Sequence, residues 1–133
     1  MAEIGIALRR NEPFVYAYYD GIDKVAHEYG LADIYDAELR YTDDAMGRLL
    51  GALRQDGLDR KTLVVVTADH GESLGEQAYF FEHGDLGTQA EIHVPLAIAL
   101  PGVIAPGSRV PFSSRSLDVA PTILDYVGVA ADG

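Results

Sequence analysis

The run Thr62–Val66, with the segment Thr67–Gly71 that follows it, constrains the fold of this chain more than any other stretch. A short β-branched run bounded by turn residues is typical of a buried parallel strand. In open α/β sheets, functional sites form outside the carboxyl ends of such strands. The adjacent carboxylate and imidazole of Asp69 and His70 suit a divalent metal ion, with Zn or Mn favoured over Ca. The alternative is that Asp69 caps a turn and His70 is an ordinary loop histidine.

The composition limits the class of protein. The 133 residues match one domain of common size, and a hydrophobic fraction of 48% is enough for a single core. There is no cysteine, so any metal must be held by Asp, Glu and His. No apolar run approaches the roughly 18 residues of a membrane span. Met1–Arg10 has no signal-peptide core, so we expect a cytoplasmic protein without membrane contact.

Acidic residues outnumber basic ones by 21 to 10, which gives a net charge of −11. This balance argues against nonspecific binding to nucleic acid or anionic membranes, because both require a basic surface. Lys24 and Lys61 are the only lysines. An acidic, lysine-poor surface fits a high-salt proteome, where screening removes self-repulsion. An ordinary acidic surface is the alternative.

Alternating strand and helix patterns predict an α/β fold, a layered sheet of mostly parallel strands with flanking helices, in one domain of residues 1–133. The predicted strands are Pro13–Tyr19, Leu63–Thr67 and His93–Leu100. A long amphipathic helix is predicted from its N-cap Asp33 to its terminator Gly57, with its apolar face in the core. A last helix is predicted to begin at Asp118 and to stop at Gly128.

Asp23 and His27 form a second Asp/His pair, just after the first predicted strand. Positions i and i+4 of a helical turn share a face, so both side chains can reach one ion. Taken alone, this spacing is more often an exposed surface pair. Because Asp69 and His70 also follow a strand end, we expect the two pairs to converge at one edge of the sheet.

The long segment from Asp69 to about Glu91 is the third candidate element, because loops of this length in a compact domain are often functional. It contains His83, which precedes a glycine. We favour His83 as a third imidazole of the site. His93 competes for this role, but its place at the start of a predicted strand favours a position in the sheet.

These motifs together resemble the metal-ligand signatures of the alkaline phosphatase superfamily: Asp23-x-x-x-His27, Thr67–Gly71 and His83-Gly84. The first is similar to the motif of type I phosphodiesterases and nucleotide pyrophosphatases. Three further stretches resemble bacterial sulfatases: Asp69–Glu76, Glu82–Asp85 and Val94–Gly102. Asp118–Thr122 resembles the helix that closes the sulfatase core. The similarity extends from about Pro13 to Gly128.

The resemblance implies that Asp23, His27 and His83 hold one metal ion, and that Asp69 and His70 hold a second beside the nucleophile. Two ions about 3.5–4 Å apart can stabilise the attacking and leaving oxygens of a displacement. Sulfatase-like members instead keep one metal ion near Asp69 and His70. In that case His27 and His83 are the catalytic candidates, which contact the sulfate or protonate the leaving group.

The sequence departs from the superfamily pattern in one respect: it shows no recognisable nucleophile. The superfamily carries a Thr, Ser or formylglycine nucleophile in an N-terminal segment, and nothing before Asp20 offers that arrangement. Thr67, Ser73 and Ser108 lie in the wrong motifs. The chain is therefore expected to resemble the C-terminal half of a hydrolase core, truncated before its nucleophile. Alone, it should hydrolyse esters poorly, because covalent catalysis needs that group beside the metal.

The leading hypothesis is a metal-dependent hydrolase of small-molecule phosphate or sulfate esters, with one or two metal ions in its site. The second is a noncatalytic metal-binding or pseudoenzyme module that forms a homo-oligomer through an exposed sheet edge and apolar face. A phosphomutase is a third option, because it shares the Asp-x-x-x-His and Asp-His-Gly ligands. The sulfatase-like Glu72–Glu76 stretch disfavours it.

Overall fold

A computed structural model of the chain describes residues 14–24, 32–78, 80–84 and 87–129. Within these residues the fold is mixed α/β. The helices are α1 (Ala32–Gln55), α2 (Gln89–Ile92) and α3 (Val119–Tyr126), and the strands are β1 (Val64–Thr67), β2 (Ser73–Leu74), β3 (Phe80–Glu82) and β4 (Leu96–Ala99). Short 3-10 turns lie at Asp59–Lys61, Glu76–Ala78 and Ser116–Asp118. Residues 21–24 form a single helical turn.

The long predicted helix is present, and it begins at Ala32, one residue before the predicted N-cap Asp33. It ends at Gln55 because Gly57 takes a φ of +66°, a left-handed conformation that a glycine adopts without steric cost. The amide of Leu58 then donates to the carbonyl oxygen of Leu53 at 2.8 Å and closes the helix end. The sequence pattern was sufficient here because periodicity and terminator agree.

The strands pair differently from the prediction of a mostly parallel layered sheet, which the described residues do not confirm. β1 pairs with β4 in antiparallel fashion, with Thr67 opposite Leu96 and Val64 opposite Ala99. β2 and β3 form a separate antiparallel pair. The connection from β1 to β4 starts and finishes at the same end of the pair. A parallel pair would require a crossover that returns the chain to the opposite end.

The predicted strand Pro13–Tyr19 is not a strand in the structure. Pro13 lies outside the described residues, and none of residues 14–20 is part of a strand. Sequence composition marks a segment as suited to a sheet, but a strand exists only where a neighbour supplies ladder hydrogen bonds.

The described residues contain a small hydrophobic core and many exposed apolar side chains. The buried hydrophobic residues are Ala45, Leu53 and Leu100. The predicted buried run at β1 is only half-buried, and its last residue, Thr67, is exposed. Phe112 and Leu117 are 73% and 76% exposed. No described helix has the length and apolar character needed to cross a lipid bilayer; the predicted cytoplasmic location remains a prediction.

The chain that connects β1 to β4 determines where the candidate site lies. It leaves β1 through Asp69–Gly71, forms the β2–β3 hairpin, passes His83 and enters the short helix α2. From α2 it returns along β1 as β4. The segments on either side of the hairpin are therefore held next to each other at the end of β1, where the functional residues were predicted.

Candidate metal centre

His70 lies one residue past the turn that follows β1, and two hydrogen bonds fix its position. Its backbone N–H donates to Oδ1 of Asp69 at 3.1 Å. Its ring Nδ1 lies 3.0 Å from the carbonyl oxygen of Gly71. A carbonyl oxygen only accepts, so Nδ1 carries the proton and the neutral ring presents the lone pair of Nε2. This is the orientation in which histidines bind metal ions.

His83 follows β3 and lies against His70. The ring centroids are 3.8 Å apart and the rings are inclined by 24°, a stacked arrangement. The side chain of His83 is 23% exposed. The next residue, Gly84, has a φ of +92°, a left-handed conformation that glycine adopts without steric cost.

Asp23 reaches the same place from the helical turn at residues 21–24. Its Oδ1 lies 4.0 Å from Nε2 of His70 and 3.7 Å from Nδ1 of His83. The amide of Lys24 donates to the carbonyl oxygen of Asp20 at 3.0 Å, which holds this turn. Lys24 itself forms an ion pair with the Asp20 carboxylate at 2.5 Å, so its charge is directed to Asp20.

Asp23, His70 and His83 thus form a three-residue cluster, and one ligand atom from each lies within 4.8 Å of the others. Metal–nitrogen and metal–oxygen bonds of about 2.0–2.2 Å place tetrahedral ligands about 3.3–3.5 Å apart. The separations of 3.7 and 4.0 Å from Oδ1 of Asp23 exceed this by about 0.2–0.7 Å. Small side-chain rotations would close these two gaps. A carboxylate with two imidazoles, one of them already oriented, fits a divalent cation.

The electrostatic environment of the cluster is negative. The charge of Asp69, then burial, then the charge of Asp23 raise the pKa of the Tyr18 phenol above its ordinary value. Tyr18 lies on the segment that leads into the turn at residues 21–24. A phenol that is harder to ionise reports a local potential that favours cations over anions.

Asp69 is adjacent to the cluster but is not one of its three members. Its carboxylate is 65% exposed, and its Oδ1 lies 4.0 Å from Nε2 of His70. The same oxygen accepts the N–H of His70. The sequence analysis offered two interpretations of Asp69, as a metal ligand or as the cap of a turn. In the structure Asp69 caps the local turn and also lies 4.0 Å from the imidazole of His70.

Glu72 is a cluster neighbour that the sequence analysis did not single out. Its side chain is only 7% exposed, and its Oε2 lies 3.6 Å from Nδ1 of His83. Its buried Oε1 has no hydrogen-bond partner among the described residues. Burial and then the charge of Glu72 raise the pKa of Tyr35 on α1. A buried carboxylate oxygen of this kind can serve as a further ligand for a cation. In the sequence, the position of Glu72 directly after Asp-His-Gly could have indicated this role.

The other predicted site residues are distributed differently. His27 lies outside the described residues, so its predicted roles as a ligand and as a catalytic residue stay predictions. His93 is exposed at the end of α2, and its N–H donates to the carbonyl oxygen of Gln89. The structure thus brings His83 rather than His93 to Asp23 and His70. The resemblance implied that His70 holds a different metal ion from Asp23 and His83. The structure instead places these three residues in one cluster.

The fold and the cluster define a mixed α/β protein with a candidate divalent-cation site at the end of a strand. Residues 9–129 match the family model described as Sulfatase. The chain belongs to the sulfatase family, within the alkaline phosphatase superfamily.

Relatives of known identity agree with this assignment. The chain is 36% identical over 98 residues to choline-sulfatase of Rhizobium meliloti (strain 1021). This alignment covers 74% of the chain and 18% of that protein. It is 39% identical over 95 residues to arylsulfatase K of Bos taurus, with 71% and 17% covered. A third relative is the multifunctional alkaline phosphatase superfamily protein PehA of Trinickia caryophylli, 36% identical over 88 residues, with 65% and 16% covered.

The matches cover most of this chain but less than a fifth of each of these relatives. No solved structure matches the chain at a significant level.

Proposed function

We propose that this chain supplies the metal-binding part of a sulfate-ester hydrolase, in which Asp23, His70 and His83 hold a divalent cation. The observation that carries the proposal is their convergence within 4.8 Å, in a chain of the sulfatase family. Zn or Mn is favoured over Ca, because two of the three donors are imidazole nitrogens.

A cation bound here would polarise an ester oxygen and help to activate the attacking group. The residues of the chain contribute orientation and charge. The hydrogen bond from Nδ1 to Gly71 places the lone pair of His70 on Nε2, which lies 4.0 Å from Oδ1 of Asp23. Asp23 and Glu72 approach Nδ1 of His83 from within 3.7 Å, so they can orient this ring or hold its proton.

A second arrangement of the same site keeps the cation at Asp69 and His70. His83, with His27, would then contact the sulfate or protonate the leaving group. The two arrangements differ in the role of His83, so replacing His83 discriminates between them. Loss of cation binding in His83→Ala favours its role as a ligand, and cation binding equal to that of the wild type favours its role in proton transfer.

Sulfate esters are the proposed substrates because two of the relatives are named choline-sulfatase and arylsulfatase K. Hydrolysis of phosphate esters is a broader proposal, motivated by the relative called a multifunctional alkaline phosphatase superfamily protein. We propose that the nucleophile and the parallel layered sheet belong to further polypeptide, because the chain corresponds to less than a fifth of these relatives.

Calorimetric titration with Zn²⁺ and Mn²⁺, and with Ca²⁺ for comparison, tests the metal centre. We expect the wild type to bind at least one of the transition metals. Asp23→Ala and His70→Ala should each weaken binding by at least tenfold, because each removes one ligand. His93→Ala is the matched control, since it removes an exposed histidine outside the cluster. A wild type that binds neither transition metal would contradict the proposal.

Self-association without catalysis is the second candidate function, and exposed apolar side chains favour it. The segment after β4 exposes Val110, Phe112 and Leu117 by 66–76%. Exposed apolar groups of this kind favour association with another surface. Sedimentation velocity at increasing concentration tests it: a shift from monomer to dimer supports this function, and a monomer at all concentrations contradicts it.

A further inference from the structure

Glu91 is a buried acidic residue in the short helix α2, and it lies outside the cation cluster. Only 3% of the residue is exposed. A buried carboxylate is costly unless hydrogen bonds compensate for the lost water. The partners that compensate Glu91 therefore show what the residue holds in place.

The carboxylate of Glu91 accepts three hydrogen bonds from the loop that follows His83. Its Oε2 accepts the backbone N–H groups of Gly84 at 2.9 Å and Gly87 at 3.1 Å. Its Oε1 accepts the hydroxyl of Thr88 at 3.1 Å. Both glycines have positive φ, +92° and +59°, a backbone conformation that other residues rarely adopt. This one side chain thus joins Gly84, the residue directly after His83, to Gly87 and Thr88 at the start of α2.

The backbone of Glu91 holds the other histidine segment. Its carbonyl oxygen accepts the N–H of Gly71 at 2.6 Å. The two chains approach so closely that a Cβ at Gly71 would overlap the carbonyl oxygen of Ala90. Gly71 follows His70 directly, and its own carbonyl oxygen accepts the Nδ1 hydrogen bond of that ring.

We propose that Glu91 is a positioning residue of the metal centre, which joins the His70 segment through its backbone and the His83 loop through its side chain. The inference rests on the proposed function in that it assumes a cation at Asp23, His70 and His83. It explains how two histidines that are 13 positions apart, with a hairpin between them, stay stacked at 3.8 Å.

The charge state of Glu91 supports this role. Burial raises the pKa of the carboxyl group, but the hydrogen bonds from Gly84, Thr88 and Gly87 lower it, and the net effect is a pKa below the ordinary value. The group is therefore ionised at neutral pH. Charge-assisted hydrogen bonds of this kind are stronger than neutral ones.

Three variants of the full chain test the proposal. Glu91→Ala removes all three side-chain hydrogen bonds and should weaken Zn²⁺ binding by about 10–100-fold, the usual range for groups that orient metal ligands. Glu91→Gln keeps an oxygen for the two glycine N–H groups, and its amide can donate to the Thr88 hydroxyl, so we expect most of the affinity to return. Asp118→Asn is the control, because it alters a carboxylate that caps a separate turn, at the start of α3.

Imidazole NMR of the metal-free protein gives a second measurement that needs no cation. Ring stacking shifts the carbon-bound protons of His70 and His83, and Glu91→Ala should move these resonances toward those of unstacked histidine. Glu91→Gln and Asp118→Asn should leave them close to the wild type. If Glu91→Ala does not fold, Thr88→Val removes one of the three bonds and should show the same changes in smaller measure.

The possible failures are distinguishable. If the wild type binds no transition metal, the proposed function fails, while the metal-free NMR measurement still decides whether Glu91 positions the rings. If the wild type binds but Glu91→Ala or Thr88→Val binds equally well, with unshifted imidazole resonances, the positioning role of Glu91 is overturned. Loss of affinity in Glu91→Ala without recovery in the folded Glu91→Gln variant also counts against it.

Discussion

At the scale of single residues, Gly71 shows why a motif can be correct for a reason other than the expected one. A glycine directly after an Asp-His pair is often explained by a sharp backbone turn. The structure does not place Gly71 among the residues with positive φ. The missing side chain instead lets the backbone approach α2, where the Gly71 N–H donates to Glu91 at 2.6 Å. A glycine is therefore needed at this position because a side chain would not fit, and not because of the backbone conformation.

Gly71→Ala should therefore destabilise the protein by about 1–3 kcal/mol, the usual cost of forcing an extra methyl group into a packed site. The added Cβ would overlap the carbonyl oxygen of Ala90, so the His70 segment and α2 must move apart. Urea unfolding gives the free energy of unfolding, and calorimetry should show weaker cation binding.

Gly51→Ala is the matched control for this substitution. Gly51 lies in α1, and an added Cβ there meets no atom within 4 Å. We expect this variant to be more stable than the wild type by about 0.5–1 kcal/mol, because alanine loses less backbone entropy in a helix. Equal effects of the two substitutions would show that the close approach at Gly71 carries no constraint.

At the scale of elements, α1 is the largest unit and it buries only a narrow stripe. Ala45 and Leu53 are 0% and 3% exposed, whereas Leu39 on the same helix is 49% exposed. The amphipathic pattern predicted this helix, and it placed both Leu39 and Leu53 on the core face, of which only Leu53 is buried. How deeply each position is buried depends on what packs against it, which the pattern does not contain.

Leu53→Ala should destabilise the protein by about 2–5 kcal/mol, since it removes a buried side chain and leaves a cavity. Leu39→Ala, the same change at a half-exposed position, should cost about 0.5 kcal/mol or less. Thermal melts followed by circular dichroism will separate the two variants. A Leu53→Ala variant as stable as Leu39→Ala would mean that α1 is not anchored by its buried stripe.

The stability of the folded state should depend on pH through Asp118, at the start of α3. The hydrogen bonds from the N–H and guanidinium groups of Arg115 lower the pKa of Asp118 below its ordinary 3.8, against a smaller effect of burial. A carboxylate with a lowered pKa stabilises the folded state above its unfolded pKa. This contribution disappears as the pH falls below 3.8 through the folded value.

Asp118→Asn should therefore melt at a lower temperature than the wild type at pH 7, and the difference should shrink between pH 4 and pH 2. Melting temperatures measured at several pH values in the same buffer series test this. Glu76→Gln provides a comparison at a second acidic cap, because Glu76 accepts the N–H of Leu74 at 2.8 Å and its pKa is also lowered. A difference that stays constant with pH would show that the Asp118 carboxylate is not responsible.

At the scale of the whole molecule, the excess of acidic residues is the dominant property. A net charge of −11 on 133 residues favours expansion through self-repulsion. Salt screens this repulsion, since the Debye length falls from about 10 Å at 0.1 M to about 3 Å at 1 M. The cluster at Asp23, His70 and His83 lies within this negative field, which attracts cations to it.

The melting temperature should rise by a few degrees between 0.1 M and 1 M KCl, as screening removes the repulsion. EDTA in all samples ensures that the rise does not come from divalent cations at the cluster. NaCl should give the same rise as KCl, because screening depends on ionic strength rather than on the cation. A melting temperature that stays level or falls in both salts would contradict this expectation.

Several features were predictable because they depend on short-range chemistry. The long helix, the strand at β1 and the final helix follow from periodicity, β-branched residues and terminators near Gly57 and Gly128. Asp23, His70 and His83 were predicted as ligands together with His27 and Asp69, since Asp and His next to strand ends are recognisable ligand types. Their binding of a metal ion stays a prediction. Glu72 and Glu91 were not singled out, because in a sequence a buried carboxylate looks the same as an exposed one.

The sequence by itself determined the family, the main helices and the kinds of side chain that could hold a cation. All of these depend on residue identity and on neighbours a few positions away. Only the tertiary structure decided that β1 and β4 run antiparallel, and that Asp23 meets His70 and His83 in one group. The physical reason is that alternation along a strand is the same for both directions of pairing. Which ligands meet depends on how distant segments close upon one another, as they do through Glu91.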